Sequence, residues 1–485
     1  MMKSVNFKYY IFSSAVLLAA GCKVPAVLSD TAGKELPREF VIPASDTLNI
    51  QQLTIDDFFA DQYLKQLIRK TLRDNPDYRI AFKRISIAEA YLVKSRGALW
   101  PSLKGLGNAS ATQYGKYTME GVGNFDTNLS PNIEESQKIG THPTPNYFLG
   151  FGADWELDIW GKYRHTKRAA KARFWATVEG KKLLESMLVT QTALVYYDLI
   201  ALDQEISILH NNIRLQEEAF EVVQIHQEVG RSTLLAVKQM EAQLNNSRSL
   251  LYLKQQELQE AETAMQELIG EYEGSVVRSN SIDIQAVRYL YNNAVPVQVM
   301  AYRPDIRQAL HELEATHADA KAARAAFFPS VNITAYLAYN AFSGEMLFNP
   351  ASLGWQVLGG ITAPILNKNQ IRSDFKIATA QQEIAFIELE RATMKAYREV
   401  NLLLRKISNT NLAYAEKEKE SRAITSGVEI SQDLYMNGYA NYLELIAARK
   451  SKLEADLQII ELKRMQVQQL VQLYKVLGGG YDVQQ

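Results

Sequence analysis

Few residues in this chain of 485 have the types and spacing that a reaction needs, and each candidate points away from catalysis. His311 and His317 are six apart, whereas two imidazoles sharing a metal from one helix face sit at i, i+4. They are expected to be solvated or packed, and no metal or other cofactor is expected. Gly105-x-Gly107 and Gly150-x-Gly152 have the flexibility of phosphate loops, but no helix follows either pair. Both lie in strand-like stretches, where small residues suit a barrel lumen. No Gly-x-Ser-x-Gly elbow, phosphate-binding lysine motif or metalloprotease motif is present, so the chain is not expected to be an enzyme. A net charge of −1 advertises neither nucleic acid nor a strongly basic partner.

The one thiol belongs to Cys22, which excludes a disulfide within the chain. Lys3 and Lys8 precede a short apolar core from Ile11 to Ala20, and Leu18-Ala19-Ala20-Gly21-Cys22 forms a small-residue cleavage site. That order is a bacterial secretory signal, expected over residues 1–21. It resembles the lipobox of bacterial lipoproteins, which implies cleavage before Cys22 and a diacylglycerol on its thiol. The alternative is an ordinary signal peptide with an incidental cysteine. Lys23 stands where an Asp would hold some lipoproteins in the inner membrane, so a lipid-anchored protein of the outer membrane is expected. No later stretch has the roughly 18 uninterrupted apolar residues of a membrane helix. A bilayer crossing would therefore need a β-barrel.

The elements that position these residues follow from hydrophobic period. Residues 22–54 have Pro25, Pro37 and Pro43 without sustained periodicity, and are expected to be an extended arm. A helix is expected from Thr54 to about Arg73, and a second from Asp77 to Leu99, ended by Pro101. Tyr147, Leu149, Phe151, Ala153, Trp155 and Leu157 alternate with Asn146, Gly150, Gly152, Asp154 and Glu156, with Phe148 the exception. With a small-residue strand from Ser102, this stretch makes a hairpin over 102–158 around a polar loop. At Gly161 period two gives way to helical period over 162–229. Val195, Leu199, Leu202, Ile206, Leu209 and Ile213 are spaced like a coiled-coil seam. Another helix over 232–268 and an irregular stretch over 271–302 complete the first plan.

Then the plan repeats. Arg303-Pro304-Asp305 opens a helix, a hairpin is expected over 330–364, and helices over 371–435 and 440–477. Gly161 and Asn369, Arg164 and Arg372, and Gly230 and Gly438 are each separated by 208 residues. Pro101 and Pro329 are instead 228 apart, which places 20 extra residues in the first hairpin's loop. Residues 55–270 and 303–485 are thus two copies of helix, hairpin, long helix and helix. Gly161 and Asn369 are the expected strand-to-helix turns, and Gly230 and Gly438 the expected helix-tip turns. Four strands cannot close a membrane barrel, which takes about eight or more. The chain is expected to oligomerise, as a dimer or a trimer.

With those pieces in hand the chain resembles the TolC-type outer membrane factors, in the lipoprotein branch of OprM-like efflux channels. The lipobox, Trp155–Arg164, Gly230-Arg231-Ser232, Arg303-Pro304-Asp305, Phe328-Pro329, Pro364, Asn437-Gly438-Tyr439 and Leu477-Gly478-Gly479-Gly480 carry the resemblance. It implies a mainly α fold with a small β part. Three protomers would close a twelve-stranded outer-membrane barrel continuous with a periplasmic α-helical barrel. It also implies a periplasmic adaptor and an inner-membrane pump, usually of the resistance–nodulation–division class, and passive export of small molecules. Protein export with an ABC-type system is the alternative within the family, and a periplasmic coiled-coil scaffold is the alternative outside it. By matching position the resemblance places a periplasmic gate at Tyr435, Leu443, Ala447, Arg449 and Lys450. Ala447 stands where relatives carry an Asp, and Arg449 is an added base beside Lys450. Tyr435 and Leu443 have a plainer alternative, packing of helix on helix.

Overall fold

The computed structural model describes residues 25–27, 54–140, 142–282 and 297–479. The expected signal peptide, Cys22 and most of the N-terminal arm lie outside the described residues, as does Gly480. Helices α1 (Ile55–Phe58), α2 (Gln62–Asp74) and α3 (Pro76–Gly97) lead into strand β1 (Ser102–Thr112). Then come α4 (Met119–Thr127), β2 (Thr144–Leu157), the 67-residue α5 (Lys162–Glu228) and α6 (Leu234–Ile269). The second half gives α7 (Pro304–Ala325), β3 (Ser330–Ala341), β4 (Leu353–Thr362), the 67-residue α8 (Gln370–Met436) and α9 (Tyr442–Val476). Among the described residues no helix is long and apolar enough to cross a membrane.

From residue 54 onward the described chain falls into two compact units. One holds Ala88–Phe174 and Glu312–Ala385; the other holds 54–87, Trp175–His311 and 386–479.

In the first unit the strands form one antiparallel sheet in the order β1-β2-β3-β4. Residues directly opposite across antiparallel strands share a face. The register makes three apolar rows: Leu103, Ala153, Ala335 and Val357; Gly105, Phe151, Leu337 and Trp355; Gly107, Leu149, Tyr339 and Leu353. The opposite face carries Asn146, Asp154 and Glu156 on β2, Asn332, Thr334 and Asn340 on β3, and Gln356 and Thr362 on β4. Gly105 and Gly107 therefore lie on the apolar face, opposite Phe151 and Leu149, and not with the polar residues as expected. Gly150 and Gly152 do lie on the polar side. A Cβ at Gly150 would run into Ala338, so that glycine lets β2 and β3 close up. Phe148, the exception in the alternation, meets Tyr336 edge-to-face at 5.6 Å on this same polar side.

In the second unit the heptad seam of α5 is buried, with Leu199 and Leu209 fully enclosed. The main core joins Tyr196 and Ile200 of α5, Met265 of α6, Val400 of α8 and Leu473 of α9. It also captures the rings of Phe58, the last residue of α1, and of Phe59 just after it. Phe58 stacks on Tyr474 at 4.0 Å, and Phe59 meets it edge-on at 6.1 Å. This packing turns the chain at 59–61, so the single helix expected there is two, each with its own cap at Thr54 and Asp61. The loop expected between β1 and β2 holds α4, despite Gly121 and Gly123, because Thr118 caps it.

Candidate functional site

The sequence points to a wall, its junctions and its tips, not to a catalytic pocket. The wall is the sheet. Its strands, at 10 to 14 residues, span about a bilayer's hydrocarbon thickness when tilted. Phe151, Leu337, Trp355, Val357 and Ile361 are exposed on the apolar side, a surface no water-facing sheet would present. On the other side Lys104 pairs with Asp154 at 2.6 Å, and Glu156 accepts from Lys162 at 3.0 Å and from the Tyr163 hydroxyl at 2.7 Å.

At the first junction Gly161 has φ +80, a conformation that side chains resist. Asp158 caps the helix that follows: its carboxylate accepts from the Tyr163 and Arg164 amides, each at 2.9 Å, and from Arg164 Nε at 3.1 Å. Trp160 donates Nε1–H to the Pro329 carbonyl at 2.7 Å and stacks on Phe328 at 4.7 Å. At the second junction Asn369 has φ +64 and Lys368 φ +51. Asn is the usual second choice after Gly for this geometry.

The two tips, in the other unit, have one geometry. Gly230 has φ +77 and Gly438 φ +78. After the first, the amides of Arg231 and Ser232 donate to the His226 carbonyl at 2.7 and 3.1 Å. After the second, Tyr439 and Ala440 donate to Leu434 at 2.8 and 3.2 Å. Thr233 and Asn441 then cap the returning helices.

Around these tips the five residues expected at the gate have different surroundings. Tyr435 is half-buried against a small core of Val223, Val237, Met240 and Tyr442. Its hydroxyl and His226 Nδ1 are hydrogen-bonded at 3.3 Å. Leu443 is 48% exposed. Arg449 donates to the Leu215 carbonyl at 3.4 Å and to Gln432 Oε1 at 3.3 Å. Lys450 pairs with Glu454 one turn along its own helix at 3.9 Å. Position 447 itself, an alanine, supplies no carboxylate. Burial raises the phenol pKa of both Tyr435 and Tyr442. Tyr442 donates to the Met240 sulfur. His226 and Met240 were not singled out in the sequence. They lie about 200 residues from their partners, and no local spacing signals them.

Among the described residues no cluster of metal-binding side chains occurs. His317 Nδ1 instead meets Gln382 Nε2 at 3.1 Å.

Residues 67–271 and 295–479 match the family model described as outer membrane efflux protein. The chain belongs to that family. As an outer membrane efflux protein it is 27% identical over 450 residues to the cation efflux system protein CusC of Escherichia coli O6:H1, covering 92% of each chain. It is 27% identical over 433 residues to the solvent efflux pump outer membrane protein SrpC of Pseudomonas putida, covering 88% of each. Its fold matches the open state of the Neisseria gonorrhoeae MtrE outer membrane channel with a TM-score of 0.81, at 23% identity, covering 94% of this chain and 98% of that one. The two-faced sheet gives this outer membrane efflux protein an apolar surface suited to lipid.

Proposed function

We propose that three copies of this chain pair their sheets edge to edge into one twelve-stranded barrel. Through it small molecules would leave the periplasm passively, delivered by an inner-membrane pump through a periplasmic adaptor. The observation that carries this reading is a sheet apolar throughout one face and mixed, with most of its polar residues, on the other, whose edges, β1 and β4, have no partner among the described residues. Open edges are intolerable in lipid, and an apolar face is useless to a solvated scaffold. A diacylglycerol on Cys22 would tether the chain to the same membrane.

Relatives are named for cations and for solvents, which fits a conduit whose cargo is set by the pump behind it. A deletion strain should become more susceptible across antibiotics, dyes, bile salts and metal cations. Unchanged susceptibility with loss of a secreted protein would move the assignment to protein export.

The gate is proposed at the second tip. Its basic residues have weak partners, since an exposed pair such as Lys450–Glu454 is worth at most about 1 kcal/mol. An apolar ring from Leu443 blocks ions by dewetting. Leu443→Ser is expected to raise single-channel conductance in planar bilayers more than Lys450→Ala does. A pore opened by Lys450→Ala and left shut by Leu443→Ser would mean an ionic lock instead.

A further inference from the structure

The helices leave the sheet at one end, and the residues around that end are more basic than the fold requires. From Ile159 to Val178 the chain has six Lys or Arg residues and no acid. A helix N-terminus favours the opposite sign, because its dipole is positive there, yet neither first turn has an acid: Asp158 caps α5 from before its first turn, and Asp374 lies past the first turn of α8. Lys162, Arg164 and Arg173 are engaged by Glu156, Asp158 and the pair Glu312 and Asp319. Arg168 and Lys171, one turn apart on the exposed side of α5, have no ion pair among the described residues. Nor do Arg324 at the end of α7, or Arg372 and Lys376 at the start of α8, all three exposed. All of them belong to the unit that contains the sheet. At the sheet's far end the sign reverses: loops 113–143 and 342–352 hold five acids against two lysines.

The positive field is felt inside the fold. The His165 imidazole is held below its ordinary pKa by burial first, then by Arg168 and Lys321. Along α5, Arg168 and Lys171 lie seven and ten residues beyond the turn at Gly161, or about 10 and 15 Å. A headgroup layer of about 5–7 Å, a Debye length of about 8 Å and the reach of the side chains bring lipid phosphates within range.

We propose that Arg168, Lys171, Arg324, Arg372 and Lys376 form a basic collar that binds anionic phospholipid headgroups of the periplasmic leaflet. This rests on the reading that the strands cross the outer membrane with the helices on its periplasmic side. The collar sets the depth of the wall in the bilayer, and its binding weakens with salt, as juxtamembrane basic clusters do.

The test uses the full chain in neutral detergent, with fluorescent phosphatidylglycerol and phosphatidylcholine as probes. Phosphatidylglycerol is expected to bind on the order of tenfold more tightly at low salt, given several unpaired bases near one surface. Arg168→Gln/Lys171→Gln/Arg372→Gln/Lys376→Gln should remove most of that preference, and Lys116→Gln/Lys138→Gln at the far end should retain it. A preference that survives the quadruple substitution overturns the collar, as does its absence from the unsubstituted protein. Competition by excess inorganic phosphate to the same level would make this a free-anion site and the lipid assignment wrong. Insertion into phosphatidylcholine vesicles is scored in parallel. A chain that inserts there without preferring phosphatidylglycerol sinks the collar alone, whereas failure to insert at all sinks the membrane reading beneath it.

Discussion

The two strand-to-helix junctions solve one problem with different means. Leaving β2, the chain caps α5 with the Asp158 carboxylate, clamps Arg164 to it, and pins Trp160 on Phe328 and the Pro329 carbonyl. Leaving β4, it has a left-handed pair at Lys368 and Asn369 and a turn in which the Gln370 amide donates to the Asn367 carbonyl at 3.0 Å. Ile365 and Leu366 there are 91% and 94% exposed. The difference follows strand position. β2 is central, with a neighbour on each side, whereas β4 is an edge. A junction on a central strand finds its partners within the chain. One on an edge strand has a neighbour on one side only, and the proposed trimer would supply the other.

The largest effect is expected where that lesson can be broken outright, on the edge strand itself. Val357 and Gln356 are adjacent in β4 but lie on the apolar and polar faces. Val357→Arg should cost about 2–4 kcal/mol of stability in lipid vesicles, the cost of a lipid-facing cation near mid-membrane. Gln356→Arg should cost far less. Urea titration of the vesicle-embedded protein reads both, and equal costs would show that β4 does not present its apolar face to lipid.

An intermediate effect is expected at the junctions. Asp158→Ala removes a cap with two amide partners and one guanidinium, a loss of about 1–2 kcal/mol. Asp374, one turn into α8, has no ion pair among the described residues, and Asp374→Ala should change stability by less than about 0.5 kcal/mol. If the two substitutions cost the same in thermal unfolding, the junctions are not differently held.

Much of this contrast can be read in the sequence, and part of it cannot. Alternation from Tyr147 to Leu157 and from Val331 to Ala341 locates the wall, because a sheet apolar on one side must have period two. The 208-residue register locates both turns and both tips, since Gly and Asn mark left-handed backbone wherever they recur in phase. The face taken by Gly105 and Gly107 is hidden, because it depends on which β2 residues lie opposite and a one-residue slip would reverse it. The break at Phe59 is hidden for a like reason: it exists because Tyr474, over 400 residues away, offers a ring to stack on. The basic surroundings of the sheet's helix-bearing end are plain in the sequence from Lys162 to Arg173. Only the ion pairs reveal which of those charges remain unspent.

The smallest effect should come from exchanging the turn residues. Gly161→Asn keeps a residue that tolerates positive φ, and the added Cβ would lie 3.4 Å from the His165 ring, within ordinary contact. Its cost should stay under about 1 kcal/mol. Asn369→Gly should be nearly neutral, because relief of left-handed strain offsets the greater freedom Gly has when unfolded. Asn369→Val is the informative third arm. A β-branched residue resists φ near +64, and the expected cost is about 1–2 kcal/mol. Chemical denaturation with and without assembled oligomer separates the cases. A cost seen in both states means the chain itself holds the turn. A cost confined to the assembled state means the neighbouring copy imposes the left-handed turn, so that the bare junction is shaped as well as covered by its partner. No cost in either state would remove the left-handed turn from the comparison and leave strand position as the only difference between the two junctions.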